Sequence, residues 1–162
     1  MNEKKDIIFK VFYALDKFYH FDKYLLQNNV NEISITHKLA CYLQDLFYNF
    51  NCDIEFNRNI FDKKRLYNDS LRKPDIIIHK RGSNKFNYIA IEVKKTNNTN
   101  KNTDFKKISA MLKEFKYRYG IYIEFNVDNI NQKNFIKNFY FFNLNNNKIS
   151  TIKFKQRRMC YE

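Results

Sequence analysis

Two stretches of sequence decide the fold of this chain: Asp75-Ile76-Ile77-Ile78-His79, which follows Pro74, and Tyr88-Ile89-Ala90-Ile91-Glu92-Val93-Lys94-Lys95. Both are rich in isoleucine and valine, and this composition is typical of buried β-strands. Each stretch also carries an acid near one end. Because acids and lysines are rarely buried without a partner, the two stretches predict a functional site at the edge of a β-sheet.

Side-chain alternation sharpens this prediction, because successive residues of a strand point to opposite faces. The two faces of the second strand are predicted to carry Tyr88, Ala90, Glu92 and Lys94 on one side, and Ile89, Ile91 and Val93 on the other. If both strands form a hairpin across residues 81–87, Asp75 lies near Glu92 and Lys94. Two carboxylates this close repel each other unless a cation lies between them or one is protonated.

Oxygen ligands of this kind suit hard cations, so Mg²⁺ or Mn²⁺ is the expected cofactor. Two states of Lys94 are possible beside such an ion. Burial and the metal would lower the pKa of its ammonium group, or the group would stay charged and stabilise a phosphoryl oxygen.

The arrangement of Pro74-Asp75, a spacer and Glu92-Val93-Lys94 resembles the PD-(D/E)XK nuclease superfamily, which includes restriction endonucleases and Holliday-junction resolvases. The resemblance covers about residues 31–125. It implies an α/β fold with a restriction-endonuclease-like core: a helix, then a three-stranded meander, a helix and a strand. An extra N-terminal helix and a C-terminal β-hairpin are expected to flank this core.

The resemblance implies a metal-dependent endonuclease that hydrolyses phosphodiester bonds. Asp75 and Glu92 would hold one or two metal ions, with the Val93 carbonyl as a further ligand. Lys94 would orient or deprotonate the attacking water, or neutralise charge in the transition state. Superfamily members often carry an acid on the first helix of the core, which here is the predicted helix that begins at Glu32. The same Glu32 could instead be a helix N-terminal charge, and the whole set could be an ion-pair network at strand ends.

Four elements are predicted before the first of these strands: helix Asp6–Leu26, helix Glu32–Phe50, strand Cys52–Arg58 and a polar connection Asn59–Lys73. In the predicted strand Cys52–Arg58, alternation places Ile54 and Phe56 on one face and Asp53, Glu55 and Asn57 on the other. One of those acids, Glu55, could belong to the site or face solvent.

Five elements are predicted after the strand that contains Glu92: helix Phe105–Tyr119, strand Ile121–Phe125, a short helix Asn131–Asn138, and strands Phe139–Leu144 and Lys148–Phe154. Asp104 is a good N-cap for the first, and Gly120 suits the C′ position that follows it. The last two strands are predicted to form a hairpin through residues 145–147.

Eight basic residues are candidate contacts to nucleic acid: Arg58, Lys63, Lys64, Arg65, Arg72, Lys73, Lys95 and Lys107. Most lie in or beside the connection Asn59–Lys73, which could follow a substrate backbone or be a solvated loop. Lys107 borders the apolar stripe of its helix, so it could reach the site or be a surface lysine.

The formal net charge of +13 favours a polyanionic partner, with nucleic acid first and an anionic membrane surface second. The abundance of Asn, Lys, Ile, Phe and Tyr, which is expected of an AT-rich genome, could equally account for that charge. DNA is expected over RNA because most members of the superfamily act on DNA. A homodimer would allow one small site to cut both strands. A non-catalytic nucleic-acid-binding module and a protein-interaction module on a nuclease-like scaffold remain alternatives.

Length and apolar content predict a single domain over residues 1–162. No run of about 18 apolar residues and no signal-peptide pattern is present, so we expect a cytoplasmic protein that does not bind a membrane. The spacing of Cys41, Cys52 and Cys160 does not suit a disulfide framework or, with His37, a zinc site. Ordinary buried thiols are expected.

Overall fold

The computed structural model of the chain describes residues 2–56, 58–59, 62–63, 73–96, 101–128, 130–131, 133–146 and 148–154. Over these residues the fold is mixed α/β, as the sequence predicts. The helices are α1 (Glu3–Gln27), α2 (Glu32–Leu46) and α3 (Lys101–Lys113), with one 3₁₀ turn at Asn84–Phe86. The strands are β1 (Asn51–Ile54), β2 (Arg58–Asn59), β3 (Asp62–Lys63), β4 (Ile76–His79), β5 (Asn87–Lys95), β6 (Tyr119–Phe125), β7 (Ile136–Asn145) and β8 (Lys148–Phe154).

Six of the strands form one mixed sheet in the order β1-β4-β5-β6-β7-β8. The β5–β6 pair is parallel, and α3 connects these two strands. All other neighbours in this sheet are antiparallel, so β1, β4 and β5 form the expected meander. Within the described residues, the short strands β2 and β3 pair with each other. β2 begins at the last residue of the predicted strand Cys52–Arg58, and β3 lies in the predicted polar connection Asn59–Lys73.

The sheet lies between two helical layers, each with its own apolar core. Helices α1 and α2 cover one face, where Ile89, Ile91 and Val93 are fully buried as alternation predicts. Helix α3 covers the other face, where Ala90 packs against Ile108. Both faces of β5 are therefore covered, which explains its nearly continuous apolar sequence.

A β-bulge changes the predicted face of one residue. Ile78 pairs with Ile89, but His79 pairs with Asn87, so Tyr88 is an extra residue in β5. Its ring stacks on Phe50 with ring centroids 4.7 Å apart, on the side of α1 and α2. The prediction that Tyr88 shares a face with Ala90 is therefore wrong.

The first strand is shorter than predicted because the backbone turns at Glu55. This residue has a positive φ of 45°, which ends the strand at Ile54. As a result Ile54 packs on the α1/α2 side, whereas Phe56 packs on the α3 side. The predicted common face of Ile54 and Phe56 is wrong for this reason.

Helix α2 also ends earlier than predicted, at Leu46 rather than Phe50. The amide of Gln44 stabilises the turn that follows. It donates to the carbonyl of Phe50 at 2.9 Å and accepts from the N–H of Cys52 at 2.9 Å.

Helix α3 begins and ends before its predicted limits, which changes the roles of three residues. Asp104 lies inside the first turn and is not the N-cap. Lys116, with a φ of 58°, has the left-handed backbone that was expected at Gly120. Gly120 is instead the second residue of β6, and a Cβ atom there would collide with Ile108 and lie 3.2 Å from the Cβ of Phe142. The glycine therefore allows α3 to approach the sheet closely.

The predicted short helix Asn131–Asn138 is also wrong, because β7 already begins at Ile136. Asparagine side chains bond to nearby backbone instead: Asn134 Oδ1 accepts from Asn131 N at 2.7 Å, and Asn131 Oδ1 accepts from Lys133 N at 2.9 Å. Such local bonds compete with a helical turn. The predicted hairpin of the last two strands is confirmed, with Asn145 opposite Lys148.

Within the described residues, no helix combines the length and the apolar character needed to cross a membrane. The expectation of buried thiols is wrong for the two described cysteines. Cys41 is exposed, 3.8 Å from the imidazole of His37, and Cys52 is half-buried. Cys41 lies on the outer face of α2 because Leu39 and Leu43 form its inner face. Cys160 lies outside the described residues.

Candidate functional site

Four elements bring charged side chains to one end of the sheet. Asp75 immediately precedes β4, and Glu92 and Lys94 lie in the second half of β5. Glu32 is the first residue of α2, after the N-cap Asn31. The first turns of α3 follow β5 and return over the same end. Sequence reasoning placed the first four of these side chains together, and the structure brings them together.

Asp75 links the two strands of the site. Its Oδ2 atom accepts a hydrogen bond from the backbone N–H of Val93 at 2.7 Å, and the same oxygen lies 3.6 Å from Nζ of Lys94. Its own carbonyl accepts from the N–H of Glu55 at 3.1 Å. The carboxylate is thus fixed against β5, with only 20% of the side chain exposed.

Lys94 is nearly buried and pairs with two acids. Its Nζ atom donates to Oε1 of Glu32 at 2.7 Å, and only 10% of its side chain is exposed. Burial alone would lower the pKa of Lys94, but Asp75 and Glu32 outweigh it, so the pKa is raised above its usual value. The structure thus favours the charged state among the two that the sequence allowed.

Glu92 is the most deeply buried acid of the site, with 1% of its side chain exposed. Its Oε2 atom is 2.6 Å from Nζ of Lys107 on α3, and its Oε1 atom is buried without any hydrogen-bond partner among the described residues. Burial, followed by repulsion from Asp75, raises the pKa of Glu92 to about 8, and Lys107 and Lys94 offset this only in part. A carboxyl oxygen buried without a partner is costly unless a ligand satisfies it.

Asp104 is a site residue that sequence reasoning missed. It is 8% exposed, and burial raises its pKa, with Lys94 and Lys107 acting in the opposite direction. The signal in the sequence is its i, i+3 spacing from Lys107, which places both residues on one face of α3. Lys107 was predicted to reach the site or to be a surface lysine, and it contacts Glu92.

Tyr122 and Glu124 of β6 extend the polar cluster beside Glu92. Tyr122 is the register partner of Glu92, and its buried hydroxyl has no hydrogen-bond partner among the residues described. Glu124 is paired more fully, with Nζ of Lys101 at 2.9 Å and Nδ2 of Asn138 at 2.8 Å. The Lys101 contact joins the first turn of α3 to β6, and the Asn138 contact joins β7 to β6.

The remaining predicted nucleic-acid contacts are dispersed. Lys95 donates to Oδ1 of Asn29 at 2.7 Å and to the carbonyl of Val30 at 2.9 Å, so its ammonium group joins β5 to the α1–α2 connection. Lys73 lies 3.7 Å from Glu55. Of the other five, Arg58 and Lys63 belong to the β2–β3 strand pair. Lys64, Arg65 and Arg72 lie outside the described residues.

A divalent cation would find few protein ligands here. Among the described residues, no three His, Cys, Asp or Glu side chains form a group that could hold a metal ion. Asp75 and Glu92 nevertheless offer two carboxylates whose charges repel, and Glu92 Oε1 has no hydrogen-bond partner in the part of the chain that the structure describes. This set fits Mg²⁺ better than Ca²⁺, because Mg²⁺ keeps several waters and uses one or two carboxylates.

Comparison of the chain with known protein families, with curated proteins and with solved structures found no match.

Proposed function

We propose that this chain is a metal-dependent nuclease that hydrolyses phosphodiester bonds, with DNA as its preferred substrate. The observation that carries the proposal is the buried Glu92 carboxyl, whose Oε1 has no partner among the described residues and which faces the charge of Asp75. Strongly perturbed acids in a polar cluster are typical of catalytic sites. The order of helix, meander, helix and parallel strand supports a restriction-endonuclease-like core.

The residues fit a bound Mg²⁺ or Mn²⁺. Asp75 and Glu92 would hold the ion, with the Val93 carbonyl and waters as further oxygen ligands and Glu32 as a ligand through water. When bound, the ion would polarise a phosphoryl oxygen and lower the pKa of a coordinated water. Lys107 now pairs with Glu92 and would lose part of that interaction when the ion binds.

Lys94 is assigned the stabilisation of negative charge on the phosphoryl group. Its pKa is raised by Asp75 and Glu32, so it keeps its proton near neutral pH and is a poor general base. Glu32 is then a positioning residue, because its 2.7 Å contact orients the ammonium group toward the two carboxylates. An ammonium group held in a nearly buried place stabilises an oxyanion more strongly than one in water.

The test is cleavage of supercoiled, linear and branched DNA and of RNA, with Mg²⁺, Mn²⁺ or EDTA. We expect cleavage that requires the divalent ion, and a loss of at least about a hundredfold in rate in Asp75→Asn and Glu92→Gln. Asp45→Asn, an exposed acid on α2, is the matched control and should cleave at the parent rate.

Undiminished cleavage by both site variants would reject the site. Tight, salt-dependent binding of nucleic acid without cleavage under any divalent ion would instead support the non-catalytic binding module. Co-purification of a protein partner without nucleic acid would support the interaction module.

A further inference from the structure

A concave region lies at the end of the central strands opposite the carboxylate site. It is a cleft of about 550 Å³ where β5 and β6 begin, α1 begins and α3 ends. Asn87, in its wall, is five residues from Glu92 along β5, which corresponds to about 16 Å. The cleft is therefore separate from the carboxylate site. Its volume is in the range of small-molecule binding sites.

Four cationic side chains line this cleft, and its described lining contains no acid: Lys4, Lys85, Lys116 and Arg118. Arg118 is paired with Glu3 at 2.8 Å. The other three have no carboxylate partner among the residues that the structure describes. The carboxylate of Glu3 balances Arg118, so the three lysines are the charges left to attract an anion.

The walls of the cleft provide aromatic surface and amide groups beside these charges. Tyr88 and Tyr119 pack edge to face with centroids 5.9 Å apart, and both hydroxyls donate to Glu3. Phe86 is exposed over 44% of its surface. Asn143 is only 7% exposed, and its Nδ2 atom has no hydrogen-bond partner among the described residues. A buried amide donor without a protein partner is available to donate to a ligand.

We propose that this cleft binds a nucleotide. The phosphate group would lie against Lys85 and Lys116, and the base would lie between the aromatic wall and the amide of Asn143, which donates to it. Cationic, aromatic and amide groups together recognise the three parts of such a ligand: charge, planar surface and hydrogen-bonding edge. This site does not depend on the proposed nuclease activity.

The test is calorimetric titration of the full-length chain in EDTA with four ribonucleoside 5′-monophosphates, with adenosine and with inorganic phosphate. We expect at least one monophosphate to bind about tenfold or more tightly than adenosine or phosphate alone. Lys85→Gln with Lys116→Gln should weaken that binding about tenfold or more. Lys113→Gln, an exposed lysine on α3 outside the cleft, is the matched control and should leave it unchanged.

Two further results decide the location of the ligand. In nuclear magnetic resonance spectra, the side-chain amide signals of Asn143 should shift on titration. The double variant Asp75→Asn, Glu92→Gln should bind the nucleotide with parent affinity, whatever its effect on cleavage. The proposal is overturned if no monophosphate binds, if phosphate alone binds as tightly, if Lys113→Gln matches the double lysine variant, or if the carboxylate variant loses binding.

Discussion

The buried Glu92 carboxyl should make the stability of this protein fall as the pH rises, and Glu92→Gln should remove that dependence. In the folded chain, burial and Asp75 raise the pKa of Glu92 from 4.5 to about 8. Between these values the folded state holds a proton that the unfolded state has released. The free energy of unfolding therefore decreases with increasing pH across this window.

The size of the effect follows from the two pKa values. One pH unit corresponds to about 1.4 kcal/mol, so the interval from 4.5 to about 8 corresponds to about 5 kcal/mol. Glutamine has nearly the same shape as glutamic acid and cannot ionise. The stability of Glu92→Gln relative to the parent should therefore rise by up to about 5 kcal/mol as the pH increases from 4.5 to 8.

The measurement is urea unfolding followed by circular dichroism at several pH values from 5 to 8.5, without divalent ions. Titrating groups that do not interact with Glu92 contribute equally to both proteins and cancel in the difference between them. Glu114→Gln, an exposed acid near the end of α3, is the control and should follow the parent at every pH. Parallel stability curves for Glu92→Gln and the parent would refute the reasoning, because Glu92 would then titrate normally in the folded state.

Two further outcomes are expected. Binding of Mn²⁺ at pH 6.5 should release about one proton from Glu92, because the ion binds the carboxylate form. Calorimetric titration in buffers of different ionisation enthalpy measures this release. A binding heat that does not depend on the buffer would contradict it. Gly120→Ala should destabilise the fold by about 1–3 kcal/mol, because the added methyl group collides with Ile108 and crowds Phe142. Urea unfolding measures this loss, and an unchanged midpoint would show that α3 can move away from the sheet.

The central strands and the approach of Asp75 to Glu92 and Lys94 were predictable from sequence because they follow from short-range rules. Period-two alternation placed Ile89, Ile91 and Val93 on one face of β5, and the sheet contains them there. Glu32 was placed at the site by the family resemblance, and its carboxylate lies 2.7 Å from Nζ of Lys94, while its role as a metal ligand stays a prediction. These predictions succeeded because a buried face selects one register.

The parts that sequence did not predict depend on contacts between distant segments. The helical pattern continued through Phe115 and Tyr119, and it could not show that Tyr119 would pair as a strand with Ile89. Gly120 resembled a helix terminator, whereas the approach of Ile108 explains it. The bulge at Tyr88 shifts one residue without any local glycine or proline to indicate it.

The last two residues of β5 have a consequence for motion. Lys94 donates a hydrogen bond to Glu32, the first residue of α2. Lys95 donates to Asn29 and Val30 in the turn just before that helix. Two successive residues of one strand thus bind this end of α2, so both sets of hydrogen bonds must break before the helix moves away from β5. The Glu32 carboxylate is consequently held toward the sheet by its contact with Lys94, in the orientation that the site requires.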